Sequence, residues 1–136
     1  MKNLLEYTNQ IKELMQHESE YLNISDIDSY TNKIINHAEF MLLKEDDSIK
    51  GFIAYYANDL TSKKAYITMV IVSASYRNKH EGKKLLYKVL EDLRSRGFLS
   101  CQLEVDSNNY VAYNMYSDIG FFKIDERDKI KMEIIL

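Results

Sequence analysis

Residues 65–72, AYITMVIV, are apolar almost throughout, and this run limits the fold more than any other stretch of the chain. A strand with one face in solvent alternates polar and apolar residues, so a strand without alternation is buried on both faces and sits at the centre of a sheet. A polar loop follows with Arg77, Lys79 and His80, and an amphipathic helix opens near Gly82 with Leu85, Leu86, Val89, Leu90 and Leu93 as its stripe. Gly97 stands where a left-handed cap would end that helix. LSCQLEV then alternates Leu99, Cys101, Leu103 and Val105 with Ser100, Gln102 and Glu104, the pattern of a strand. Strand, helix and strand in this order predict a right-handed crossover, with the second strand parallel to the first.

The remaining segments arrange themselves around this unit. Residues 3–22 place Leu4, Leu5, Ile11, Leu14, Met15, Tyr21 and Leu22 at helical spacing. Ser25 with Asp28 resembles a capping box for a second helix reaching about Asn36. EFMLLK and IKGFIAYYA, joined by Glu45-Asp46-Asp47-Ser48, read as a hairpin. Residues 108–118 give a short helix broken by Gly120, and FFKI with KIKMEIIL closes the chain as an antiparallel pair. The order is two helices, three strands, helix, strand, helix, two strands, which predicts an α/β (α+β in some schemes) mixed, twisted sheet with helices on both faces. With no repeat, linker or low-complexity segment, residues 1–136 are expected to form a single domain.

Composition removes several classes. A net charge of −3 excludes a general nucleic-acid binder, although local basic patches remain open. No apolar run approaches the roughly 20 residues that span a bilayer. The single cysteine, Cys101, cannot form an internal disulfide and no secretory pattern opens the chain, so a cytoplasmic location is expected.

Three groups carry the candidate chemistry. Around the start of the central helix, Arg77, Lys79, Lys83 and Lys84 outnumber Glu81 in an otherwise acidic protein. A helix start leaves about four backbone N–H groups unpaired and carries positive dipole charge, so this is the layout of an anion site. Glu104 lies on the polar face of an apolar strand, and a carboxylate looking into a cleft there is a candidate general base. Its bland alternative is a solvated strand-end residue. Tyr110, Tyr113 and Tyr116 recur every three residues beside Asn109; on spacing alone the tyrosines read as core packing and the asparagine as a helix cap.

The order and spacing of these groups resemble the GNAT superfamily of acyl-CoA-dependent N-acyltransferases over roughly Glu39 to the C-terminus. Its cofactor signature is Arg or Gln, two residues, Gly, one residue, then Gly or Ala; here it stands as Arg77-Asn78-Lys79-His80-Glu81-Gly82. Its second signature is matched by Glu104-Val105, Asn109-Tyr110-Val111-Ala112 and Tyr116-Ser117-Asp118-Ile119-Gly120-Phe121. Within the superfamily the spacing is most similar to the ribosomal-protein N-terminal alanine acetyltransferase type, a likeness that does not transfer the substrate.

The resemblance implies acetyl-CoA as co-substrate, no metal, and as acceptor a primary amine on a small molecule or a protein. The backbone of Val70, Ile71 and Val72 would pair with the pantetheine arm. Amides of Arg77, Asn78, Lys79, His80, Glu81 and Gly82 would hold the pyrophosphate, with Lys83 beside them. Asn109 would contact the cofactor, Glu104 would act as general base through water, and Tyr116 would protonate the leaving thiolate. Three departures stand out. His80 occupies the first glycine position of the signature, and Ser73-Ala74 replaces the frequent residue-then-proline, which is expected to loosen the loop. The family's first strand is missing, which leaves a sheet edge that invites pairing into a homodimer. The competing reading is a non-catalytic module that binds acyl-CoA or a partner protein through the same cleft.

Overall fold

The expected order of elements is the order observed, with the apolar run at the centre of the sheet. The computed structural model describes residues 4–18 and 24–136. Six strands, β1 (Glu39–Glu45), β2 (Ser48–Asp59), β3 (Lys64–Val72), β4 (Ser100–Asp106), β5 (Phe122–Glu126) and β6 (Lys129–Ile135), form one mixed sheet. Their order is β1-β2-β3-β4-β6-β5, so β1 and β5 are its edges. Only the β3–β4 pair is parallel. No strand precedes β1 among the described residues.

Among the described residues, four α-helices cover the sheet. They are α1 (Thr8–His17), α2 (Ile27–His37), α3 (Glu81–Ser95) and α4 (Tyr110–Ile119). Because side chains alternate across a strand, β1, β2 and β3 feed two cores, whereas β4 and β6 feed one of them. On one face Phe52, Ala54 and Ile71 pack with Tyr7, Ile11 and Met15 of the first helical segment and Ile34 of α2. On the other, Ile53, Tyr55, Cys101, Leu103 and Val105 pack with the α3 stripe and with Tyr116 of α4.

Local chemistry accounts for the helix ends, with small departures from the sequence reading. The first helical segment is a 3-10 turn, Leu4–Tyr7, followed by α1; the expected continuation through Tyr21 and Leu22 lies outside the described residues. The cap of α2 is Asp26, whose carboxylate accepts from the Ser29 N–H at 3.1 Å, one residue beyond the expected Ser25. Gly97 ends α3 as expected, at φ +82°. The Gly97 N–H reaches the Arg94 carbonyl and the Phe98 N–H the Leu93 carbonyl, both at 3.0 Å, which closes a Schellman motif. Leu99 does not join the buried face of β4: it precedes the strand and is 62% exposed.

One irregularity decides the shape of the centre. Between β2 and β3 the register runs Ala54↔Met69 and then Tyr55↔Ile67, so Thr68 is an extra residue in β3. Such a bulge bends and twists its strand. It also inverts the alternation: Ala65 and Ile67 face the α3 side, whereas Ile71 faces the α1–α2 side.

Candidate functional site

β3 and β4 pair only from Lys64↔Ser100 to Tyr66↔Gln102, and the bulge at Thr68 follows directly. Beyond it the β4 side of β3 has no ladder partner. A groove of about 910 Å³ opens there. It is lined by Val70, Ile71 and Val72, by Arg77, Asn78 and His80 of the loop, by Glu81, Gly82 and Lys83 of α3, and by Asn109 and Tyr116 at α4. The groove thus brings together every expected site residue except Lys79 and Glu104.

The loop before α3 has the backbone of an anion cradle. Asn78 and His80 have φ of +63° and +60°, left-handed conformations that flank Lys79, and His80 is the N-cap of α3. Turns of this kind gather successive N–H groups into a concavity. A residue with a Cβ pays roughly 1–2 kcal/mol to sit there. That cost explains why a glycine suits the His80 position; the histidine keeps the glycine-type backbone and leaves its ring exposed. Ala74 opens a 3-10 turn, Ala74–Tyr76, and Ser73 donates its N–H to the Lys50 carbonyl at 2.8 Å, so the loop is held there without a proline.

Gly82 has no need within the chain to be glycine. A Cβ there would meet only Val72 Cγ2 at 3.7 Å and Met115 Sδ at 3.9 Å, ordinary contacts. It faces the groove, so the bare backbone leaves room for something that approaches α3 from that side.

The basic side chains are partly committed elsewhere. Arg77 donates from Nη2 to Glu18 Oε2 at 2.6 Å and from Nε to the Val72 carbonyl at 3.0 Å, which ties the loop to the end of α1. Lys79 stands over the Tyr76 ring at 5.8 Å. Glu18, only 4% exposed, is not among the expected site residues and is buried rather than part of a solvated helix surface. It continues the Ile11–Met15 stripe of α1 at helical spacing, and a carboxylate on a buried stripe is the pattern that reveals it.

At the other end of the groove, Asn109 caps α4, its side-chain oxygen accepting from the Ala112 N–H at 3.2 Å. Of the three spaced tyrosines only Tyr116 is core; Tyr110 is 72% exposed. Burial pushes the Tyr116 hydroxyl up to about 12, so it stays protonated at neutral pH and is available only as a donor of that proton.

Glu104 lies on the opposite face of the sheet from Tyr116. Its neighbours Leu103 and Val105 enter the core on the α3 and α4 side, so its own side chain points to the α1–α2 side, where it is exposed. There it borders a separate cavity of about 410 Å³ with Asp125, Arg127, Asp128, Lys129 and Lys131. On the same face stands Tyr66, whose hydroxyl is pushed up to about 12 by burial first and then by the neighbouring Glu104 carboxylate. A proton donor on one face and a carboxylate on the other therefore flank the fork between β3 and β4.

Residues 5–121 match the family model of the acetyltransferase (GNAT) family. The chain is similar to the spermidine N(1)-acetyltransferase of Thermoplasma acidophilum, 29% identical over 83 residues that make up 61% of this chain and 49% of that protein. The match thus spans about half the length of that curated relative. Among solved structures, the PaiA N-acetyltransferase of Thermoplasma acidophilum in complex with coenzyme A superposes with a TM-score of 0.82 at 22% identity, covering 100% of this chain and 97% of that one. The ribosomal-protein-S18-alanine N-acetyltransferase of Escherichia coli does so at 0.77 and 17% identity, covering 94% and 86%. At these identities the likeness is one of fold.

Proposed function

Because the chain belongs to the GNAT acetyltransferase family, we propose that it transfers an acetyl group from acetyl-CoA to a primary amine by direct attack in a ternary complex. The observation that carries this reading is the fork after Tyr66↔Gln102, where the freed edge of β3 and the start of α3 border one groove. Val70, Ile71 and Val72 offer backbone groups to an extended arm, as a missing strand would use them. The amides from Arg77 to Gly82 and the α3 start hold a pyrophosphate, and the bare Gly82 backbone fits its approach.

In this reading the acetyl-CoA supplies a thioester, and the chain positions the reactants and handles the protons. Glu104 takes a proton from the attacking amine through water. A carbon–nitrogen bond forms as the carbon–sulfur bond breaks, and Tyr116 gives its proton to the departing sulfur, recovering one from solvent. Holding both substrates in register supplies much of the rate. A cationic amine acceptor is supported by the spermidine named for the relative.

The test is calorimetry with acetyl-CoA and CoA, followed by thiol release against amino acids, polyamines, amino sugars and peptides. Glu104→Gln and Tyr116→Phe should each lower turnover by about 10² with CoA affinity retained. Unchanged rates at saturating substrates would remove these two assignments, and binding without turnover on any amine would favour a non-catalytic module.

A further inference from the structure

Thr68, the extra residue of β3, meets a side chain from outside the sheet. Tyr30 of α2 donates its hydroxyl to the Thr68 carbonyl at 2.8 Å, and the same oxygen lies 2.6 Å from Thr68 Oγ1. A bulge leaves its extra residue outside the ladder, so its polar groups must find other partners or lose solvation uncompensated. The Tyr30 hydroxyl meets that need, and it does so where β3 departs from β4, immediately beyond the last parallel pair Tyr66↔Gln102.

The bond reaches across layers. Tyr30 is packed among the α1–α2 core, half-buried, while the groove-lining residues Val70, Ile71 and Val72 lie two to four positions beyond Thr68. Burial raises the Tyr30 hydroxyl from its ordinary 10.0, which keeps it a donor across the physiological range. The bulge beside the fork is therefore bonded to a side chain from α2.

We propose that Tyr30 is a positioning residue for the acetyl-CoA groove: through the Thr68 bulge it sets where the freed edge of β3 lies and couples α2 to that edge. The assignment rests on the reading that CoA occupies the groove. Without the hydroxyl, the bulged residue exchanges its protein partner for water, and the edge from Met69 to Val72 is held by its β2 ladder alone. The loss appears in CoA binding before it appears in folding.

Tyr30→Phe removes the hydroxyl and keeps the ring. By calorimetry it should bind CoA about three- to ten-fold more weakly, the worth of one hydrogen bond. KM for acetyl-CoA should rise by a similar factor with kcat less affected. Amide exchange should quicken at residues 68–72 and stay unchanged in α3 and β6. Equal CoA affinity and equal exchange in variant and wild type would overturn the proposal, as would exchange that quickens evenly through the whole sheet, which marks a plain packing residue. Wild-type protein that binds no CoA would sink the acetyltransferase reading instead, and the exchange comparison would still decide whether Tyr30 pins the bulge.

Discussion

The ring of Phe121 meets the ring of Tyr116 edge-on, with centroids 5.8 Å apart. The contact follows from how α4 ends. Gly120 takes φ +126°, its N–H reaches the Ser117 carbonyl at 3.1 Å, and the Phe121 N–H reaches the Tyr116 carbonyl at 3.0 Å. This is a Schellman motif, in which the residue after the glycine packs on the one five positions earlier. The Tyr-x-x-x-Gly-Phe spacing is therefore a cap that fixes the ring carrying the candidate acid. Phe121→Leu should keep the fold at a cost of about 1 kcal/mol in denaturant titrations. It should lower kcat more than it raises KM for acetyl-CoA, because it frees the Tyr116 ring.

Gly51 and Gly82 make opposite demands. A Cβ at Gly51 would lie 2.6 Å from the Ile71 carbonyl oxygen and 3.1 Å from Val72 Cα, both backbone atoms. Gly51→Ala should cost about 2 kcal/mol or more. Gly82→Ala should leave the melting temperature unchanged or raise it, by up to about 1 kcal/mol of added stability. Its CoA affinity should nevertheless fall at least about ten-fold by calorimetry, since about 1.4 kcal/mol of lost contact suffices.

The Arg77–Glu18 bond should be asymmetric. Arg77→Ala leaves the Glu18 side chain, 6% exposed, without its Arg77 partner, at a cost of about 2 kcal/mol, since an uncompensated buried carboxylate is the expensive half of such a pair. Glu18→Gln, whose amide oxygen still accepts from the guanidinium, should cost about half as much. A double-mutant cycle in urea measures both, and equal losses would contradict the asymmetry.

Alkali should loosen the fold. Tyr66 and Tyr116 rise from 10.0 to about 12, and Cys101 from 9.0 to about 12, each chiefly through burial. The folded state holds these protons more tightly than the unfolded chain, so the stabilisation is fully present below about pH 9 and is lost as pH climbs towards 12. Melting temperatures should hold between pH 7 and 8.5 and then decline. Cys101→Ala should delay the first part of the decline, and Tyr116→Phe should flatten the part above pH 10.

The elements were legible wherever one face of a segment is covered. The α3 stripe, the β1–β2 turn and Gly97 all declare themselves through local pattern. Thr68 did not, because AYITMVIV is apolar at both parities and a skipped position leaves no trace in it. Asp26 and Ser25 are both good caps, and only the chain path chooses between them. Leu99 continues the alternation of β4 arithmetically but lies before the strand begins and is exposed. Most signature residues line the groove, whereas the Glu18–Arg77 and Tyr30–Thr68 partners, 59 and 38 positions apart, are matters of tertiary geometry.

The extra residue in β3 also bears on how such a groove can be gained or lost. The fork does not depend on any one side chain along β3; it depends on a count of residues. Point substitutions in the strand can tune the opening but leave the parity of Ile67 and Ile71 untouched. Deleting a single position there would send Ile67 and Ile71 to the same face of the sheet, against the two cores they now serve. Substitutions along β3 would keep the slot, whereas a one-residue deletion would restore an uninterrupted alternation along the strand.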